Sequence, residues 1–419
     1  MALRPTGLSS RERGLLVLLV ASIFINYIDR ANLSIAAPML AEELALTPGQ
    51  LGLLFGSFFW TYALLQLFGI AGWFADRYPV GWVFAWGFVI WTLATAASGI
   101  VTGFAALYAM RLILGAGESI AYPCYSKIIA GDIPATHRGL ANALIDAGSK
   151  LGPALGTLLG GYMAAQLGWR MFFVVLGVGS LVWLIPWLRY MPRGGASDTR
   201  DIATAPRTGA ILSQRSAWGT FLGHFCGNYY WFFLLTWLPT YLVKERGYSM
   251  EGMARVGGFA YFAIAAATIV AGWFSDRWIA SGATVTKVRK TIVVGGLLGS
   301  TIILPVAAVQ DLHVSIVLLL LACVSFGVYV SNHWAITQTL SGPLAAGRWT
   351  SIQNGVGNLS GIVAPWLTGV VVERTGSFHL AFVAAAAVAL TGALLWGMAV
   401  GPVKEVAWPA PNPSAGKAN

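Results

Sequence analysis

Six ionisable side chains stand inside long apolar stretches of this chain. Asp29 and Arg30 are adjacent in one stretch, Arg111 and Glu118 lie seven apart in a second, and Asp146 and Lys150 lie four apart in a third. A spacing of seven returns two side chains to one helix face two turns on, and a spacing of four returns them one turn on. Each charge costs roughly 2.5–3.5 kcal/mol at a lipid-facing midplane, so six together cost roughly 15–20 kcal/mol. That equals or exceeds the ~5–15 kcal/mol that holds a typical fold, so these groups must face one another or a wet cavity. The chemistry open to such a set is anion capture and proton handling. An arginine forks onto a carboxylate with two parallel hydrogen bonds. A buried acid takes up a proton when its cationic partner leaves and releases it when the partner returns. On this reading Asp29 and Glu118 handle protons, and Arg30 and Arg111 hold the anion. The alternative is a set of structural ion pairs that lock helices together. For Asp146 and Lys150, which can satisfy each other at one-turn spacing, both readings stay open.

The elements that position these groups follow from composition. The chain has 419 residues, 57% hydrophobic and 10% charged, with mean hydropathy +0.69. A soluble domain carries about 25% charged residues, so a soluble enzyme, a disordered chain and a disulfide scaffold are excluded. The alternating polar positions of a membrane β-barrel are missing. Twelve apolar stretches can be marked, at 15–35, 51–74, 83–100, 104–130, 139–166, 171–190, 219–243, 254–278, 291–309, 314–340, 349–372 and 378–400. At roughly 20 residues per span, the expectation is an all-α integral membrane protein with twelve transmembrane helices. Arg11 and Arg13 before the first stretch imitate a signal peptide, but the run continues past Asn26 and many spans follow, so an uncleaved first helix is expected.

A stretch rich in Gly, Pro, Ser and charge at 192–216 divides the chain. The expected organisation is a six-helix bundle at 1–191, a cytoplasmic linker at 192–216, a second six-helix bundle at 217–403 and a cytoplasmic tail at 404–419. The halves look like copies: AGWFADR begins at Ala71 and AGWFSDR at Ala271, and Arg138 and Arg348 each open a fifth span. Repeated helical halves flanking a pathway are a transporter architecture. Gly72, Asp76 and Arg77, with Gly272, Asp276 and Arg277, end the second span of each half, where an acid and a base can latch one conformation or simply set topology.

Net charge is +10. Most of the 26 Lys and Arg fall in loops on the side of the N-terminus, against Arg170, Lys244, Arg246, Arg255 and Arg374 on the other. This places both termini in the cytoplasm and accounts for the positive charge without a nucleic-acid partner. Cys124, Cys226 and Cys323 show no metal or disulfide spacing and read as small packing residues. Gly148, Gly152, Gly156 and Gly160 recur every four residues, which permits close helix packing. Tyr27, Tyr62, Gln66, Asn228, Tyr229, Asn332, Gln353, Asn354 and Asn358 interrupt the spans as interhelical glue or pocket lining, and His224 and His333 are candidates for protonation or packing. No GxxxxGK[ST], HExxH, nucleophile elbow or paired CxxC occurs, so neither ATP-driven pumping nor enzyme chemistry is expected, and no cofactor is needed beyond a coupling proton.

GWFADR and GWFSDR in two six-span halves resemble the major facilitator superfamily. NYIDRANLSIAAP (26–38), RLILGAGES (111–119), YYWFFLLTWLPTYL (229–242) and SIQNGVGNLSGIVAP (351–365) resemble, more narrowly, its anion:cation symporter family, which includes bacterial sugar-acid transporters, sialin and vesicular glutamate transporters. The resemblance implies two bundles rocking around a central site. It implies coupling protons on Asp29 and Glu118, anion contacts from Arg30 and Arg111, and substrate contacts from Tyr27, Tyr62, Ser149, Asn332 and Asn358. Ser119 replaces the usual alanine, and Asp146 with Lys150 adds a charge pair, Lys150 offering a second cation for a dicarboxylate or sulfonate. GSKLGPALGTLLGG (148–161) is similar to the antiporter motif of drug exporters. The expected protein is a monomeric, proton-coupled importer of a small organic anion such as a sugar acid, embedded in the lipid bilayer of a bacterial inner membrane. A proton-coupled exporter and a non-transporting anion sensor are the alternatives.

Overall fold

The computed structural model describes residues 8–134, 138–192, 206 and 208–408. Most of the expected linker (193–205 and 207) and the end of the tail (409–419) lie outside the described residues, as do the side chains of Asp76 and Arg138. Among the described residues there is no strand. The first half comprises α1 (Ser10–Glu43), α2 (Pro48–Leu67), α3 (Ile70–Arg77), α4 (Val80–Ser98), α5 (Phe104–Ser119), α6 (Ala121–Asp132), α7 (Arg138–Ser180) and α8 (Leu184–Tyr190). The second comprises α9 (Thr208–Leu212), α10 (Arg215–Thr240), α11 (Met250–Ala280), α12 (Val285–Ser300), α13 (Ile303–Val306), α14 (Leu312–Val330), α15 (His333–Thr375) and α16 (His379–Leu394).

Local sequence sets several of the starts. Ser9 with Glu12 and Thr47 with Gln50 form reciprocal capping boxes on α1 and α2. Ser249, Thr284 and Asp311 each accept a backbone N–H at the start of α11, α12 and α14. The two 43-residue helices are each two rods. Gly168 in α7 has φ 78° and ψ 158°, and Gly342 in α15 has φ 60° and ψ 179°, conformations essentially restricted to glycine. Divided there, the described residues make twelve crossings. Among them nine stretches are long and apolar enough to cross a membrane, of which the 47-residue Leu144–Tyr190 holds two rods. α2 and α10, of 20 and 26 residues, complete the set.

The boundaries depart from the hydropathy reading where it had no means to see a break. The second crossing is interrupted at Phe68–Gly69 between α2 and α3, and the fourth at Ile120 between α5 and α6. The counterpart of the second crossing in the second half, α11, runs unbroken for 31 residues, so the AGWFADR and AGWFSDR copies end differently built crossings. Part of the stretch read as linker is helical: α9 buries Ile211.

Within the first half α1 packs on α7, α2 on α5, and α4 on both α5 and α7; within the second, α10 packs on α15 and α16, and α11 and α12 on α14. The halves meet along α2–α15, α7–α11 and α1–α10. A Cβ on Gly52 would fall 2.5 Å from the Pro365 carbonyl oxygen, and Gly161 and Gly258 hold α7 and α11 comparably close at Ala254 and Leu158. The Gly49 amide donates to Glu373 at 3.0 Å, and Lys244 pairs with Glu42 at 3.1 Å. Apart from the length of the α2–α15 seam, these contacts cluster at the face opposite the start of α1. At the α1-start face, α6 packs mainly within its own half, on α3, α4, α5 and α7.

The glycine stripe of α7 is the bed for α1. A Cβ on Gly148 would meet Ile23, on Gly152 Tyr27, and on Gly156 Ile28. Gly152→Val is therefore expected to push Tyr27 off its position and to cost about 1–3 kcal/mol, read as a lowered thermal midpoint in detergent. Gly295→Ala, on α12 with nothing within 4 Å of the new Cβ, is expected to leave the midpoint unchanged or raised.

Candidate functional site

The first four charges converge where α1, α2, α4 and α5 meet. Arg30 Nε donates to Glu118 Oε2 at 3.0 Å, linking α1 to α5. The Arg30 guanidinium carbon lies 4.8, 5.0 and 4.5 Å from the ring centroids of Tyr27, Phe58 and Tyr62, an aromatic cradle that favours a desolvated cation. Asp29, adjacent in sequence, turns to α4. It accepts from Thr95 Oγ1 at 3.0 Å and from Asn32 Nδ2 at 3.3 Å, while its Oδ2 has no hydrogen-bond partner. Arg111 stacks over Phe58 at 5.5 Å, and its Nε and Nη1 have no hydrogen-bond partner among the described residues. The set is closed from solvent: Asp29 and Glu118 are 0% exposed, Arg111 3% and Arg30 7%.

Two cations and two acids thus make one ion pair. Arg30 and Glu118 are committed to each other, Asp29 is held by neutral donors, and Arg111 sits in electrostatic reach of both acids without bonding to either. Removing a guanidinium from water costs several kcal/mol unless its donors are matched. An anion delivered to Arg111 supplies that match.

Lys150 and Asp146 make the expected one-turn pair at 3.2 Å, and Lys150 Nζ also donates to Ser149 Oγ at 3.2 Å. Ser149 is buried, its hydroxyl donating to the Asp146 carbonyl. The Asp146 side chain is 60% exposed and lines a cavity of about 150 Å³ with Tyr122, Tyr125, Ser126, Asn142 and Ile145. Tyr122 and Tyr27 share a hydrogen bond at 3.2 Å, so this cavity abuts the aromatic cradle.

In the second half Asn332 is committed to the frame: Ser275 Oγ donates to its Oδ1 at 2.8 Å, and its Nδ2 donates to Ser331 at 2.8 Å. Asn358 donates to the Asn354 carbonyl of its own helix. His224 and His333 are paired, their rings stacked at 5.0 Å and 14°, with Trp334 against both. At the ends of the second spans, Lys127 donates to the Ala75 carbonyl beside Asp76, Arg77 and Gly72, tying α6 to α3. In the other copy Arg277 lies over Trp273 at 4.3 Å. Asp276 is in reach of Arg289, which donates to Ala335 and Thr339 of α15. Gly272 lies near Ser331.

Sequence reasoning missed Phe58, Thr95 and Tyr122. Each is an ordinary residue for a membrane helix, and only the direction of its helix face gives it a role. Asn26, 0% exposed and beside Glu118, was missed as well, although an amide inside an apolar stretch is a signal that a sequence shows. Among the described residues no cluster of His, Cys, Asp or Glu is built to hold a metal.

Because the Arg30–Glu118 pair is buried, Arg30→Met should strand the carboxylate and cost up to about 3–5 kcal/mol of stability. Adding Glu118→Gln should recover most of that loss in the double variant, measured as thermal midpoints of all three proteins.

The Major Facilitator Superfamily profile matches residues 19–365. The probable galactarate/D-glucarate transporter GarP of Escherichia coli (strain K12) is 30% identical over 438 residues, covering 96% of this chain and 97% of that protein. The D-galactonate transporter of Escherichia coli O6:H1 is 30% identical over 417 residues, covering 93% and 96%. A solved bacterial homologue of the human lysosomal transporter Spinster, in an inward-facing and occupied conformation, superposes with a TM-score of 0.79 at 19% identity, covering 94% of this chain and 97% of that one, and shows the same fold. The family and these relatives are multi-pass membrane transporters, not enzymes. The chain belongs to the major facilitator superfamily.

Proposed function

We propose that the protein takes up a small organic anion of the sugar-acid class together with protons, across a bacterial inner membrane, with both termini in the cytoplasm. The observation that carries this reading is Arg111, a guanidinium 3% exposed with two nitrogens unbonded, beside an Arg30–Glu118 pair that can open. Two relatives named for sugar acids support the substrate class.

The cycle follows from charge matching. An anion entering the site bonds Arg111 and competes with Glu118 for Arg30. Glu118, losing its cation in a low-dielectric site, becomes stable only when protonated. Anion binding and proton binding therefore favour each other, and by linkage the effect is reciprocal. Asp29, held by Thr95 and Asn32 rather than by a cation, is a second acid able to take a proton. With a monoanion, one proton makes transport electroneutral, and a second adds about 2.3 kcal/mol of drive per 100 mV. With the termini inside, the clustered contacts between halves close the outer face, and the inner end of the Asp146 cavity is the side from which the site empties.

Reconstituted protein tests this. An imposed proton gradient is expected to drive accumulation of galactonate or galactarate, and Glu118→Gln to keep counterflow exchange while losing that accumulation. Wild-type accumulation by Glu118→Gln would refute its coupling role. Arg111→Ala is expected to lose about 2–5 kcal/mol of binding free energy, and unchanged affinity would remove it from the site. Gradient-driven uptake into right-side-out vesicles distinguishes import from export, and binding without exchange of labelled acid identifies a sensor.

A further inference from the structure

A second cationic group faces the site from another direction. Lys150 lies in electrostatic reach of Tyr27 on α1 and of His224 and His333 across the interface between the halves. Tyr27 is the same ring that cradles Arg30 at 4.8 Å, so Arg111, Arg30 and Lys150 are joined through Phe58 and Tyr27 in a short succession of contacts.

The histidine pair has a spare donor. His224 Nε2 faces the Asn228 amide nitrogen at 3.4 Å. That nitrogen can only donate, so Nε2 accepts and the proton of the neutral ring sits on Nδ1. His224 is 3% exposed, and its Nδ1 has no hydrogen-bond partner. His333 carries its proton on the same nitrogen, but there the Nδ1–H is satisfied, donating to the Val330 carbonyl at 2.9 Å. A buried N–H without an acceptor costs about 1–3 kcal/mol, and this one stands on the second-half side of the same centre as a lysine. Lys150 is held meanwhile by Asp146, whose exposed carboxylate can return to water when the lysine turns to a different anion.

We infer that the substrate carries two acid groups, one seated on Arg111 and the other on Lys150 with the His224 Nδ1–H. This rests on the anion-transport reading above and narrows it from organic anions to dianions, dicarboxylates or sulfonate-carboxylates. A dianion also gives both Asp29 and Glu118 a use, since two protons make its passage electroneutral. It gives the two halves a common ligand: the distal acid group bridges Lys150 of the first half to His224 of the second.

The test uses two six-carbon sugar acids that differ at one terminus, galactarate with a second carboxylate and galactonate with a hydroxymethyl group. Counterflow in proteoliposomes gives an apparent affinity for each. The wild type is expected to favour galactarate by about tenfold or more, the worth of a charged hydrogen bond. Lys150→Gln is expected to bring the ratio to near unity, and Lys150→Arg to keep it, which separates charge recognition from a folding effect. His224→Phe is expected to reduce the ratio in the same direction. A wild-type ratio at or below unity, or one that Lys150→Gln leaves unchanged, would overturn the inference while leaving monoanion transport standing. Exchange of neither acid by the wild type would remove the anion-transport reading itself, and this inference with it.

Discussion

An arginine buried in a membrane bundle needs an anion for its donors, and this protein gives its two central arginines unequal shares. Arg30 has Glu118 at 3.0 Å and three aromatic rings around its guanidinium. Arg111 has one ring and two unbonded nitrogens. The second acid, Asp29, faces away to Thr95 on α4. Low dielectric strengthens every interaction here and raises the cost of every vacancy. A second buried ion pair would have made the cluster self-sufficient and inert; with one, the cluster is stable enough to fold and still requires a partner. In the proposed cycle the binding chemistry is set by which pair was left unmade.

The surrounding architecture lets such a cluster change partners. α1 carries Tyr27, Asp29 and Arg30 and lies on a glycine bed along α7, so its backbone position is fixed by close packing. α2 supplies Phe58 and Tyr62 from one face, and from the rest of its length a glycine-lined seam against α15 in the other half. The groove under the cations and the longest seam between the halves are thus built from the same helix. Beside that seam and the close α7–α11 packing, the polar contacts that join the halves are of modest strength. Lys244–Glu42 is an exposed ion pair, of a kind worth about 0–1 kcal/mol, and Glu373 reaches only the Gly49 amide. Contacts of this size can be exchanged for a different closed face during a transport cycle.

Much of this was legible in the sequence because the bilayer is a demanding solvent. Apolar length marks a span, so twelve crossings could be counted, and a charge inside a span stands out, so Asp29, Arg30, Arg111 and Glu118 were found before any fold was known. The same rule reads nothing from residues that suit a membrane helix anyway. Phe58 under two arginines and Thr95 against Asp29 look like any other phenylalanine and threonine until their helix faces are known. His224 and His333 were visible singly; their stacking required α10 and α15 to be brought together. Asn332 and Asn358 were visible as polar, but whether an amide meets a neighbour or a ligand depends on geometry, and Asn332 bonds Ser275 and Ser331 while Asn358 bonds its own helix. Hydropathy left gaps at 167–170 and 341–348, where Gly168 and Gly342 kink the backbone, but ran past the breaks at Gly69 and Ile120, which are conformational events without a polarity signature.

The central claim is that an anion seated on Arg111 releases Glu118 from Arg30 and thereby draws in a proton. Calorimetry of galactarate binding to the purified protein, repeated in buffers of different ionisation enthalpy at one pH, counts the protons taken up per ligand. The account predicts an observed enthalpy that varies with the buffer, in the sense of net uptake, and a smaller dependence in Glu118→Gln. Tight binding with an enthalpy that does not vary with the buffer would contradict it.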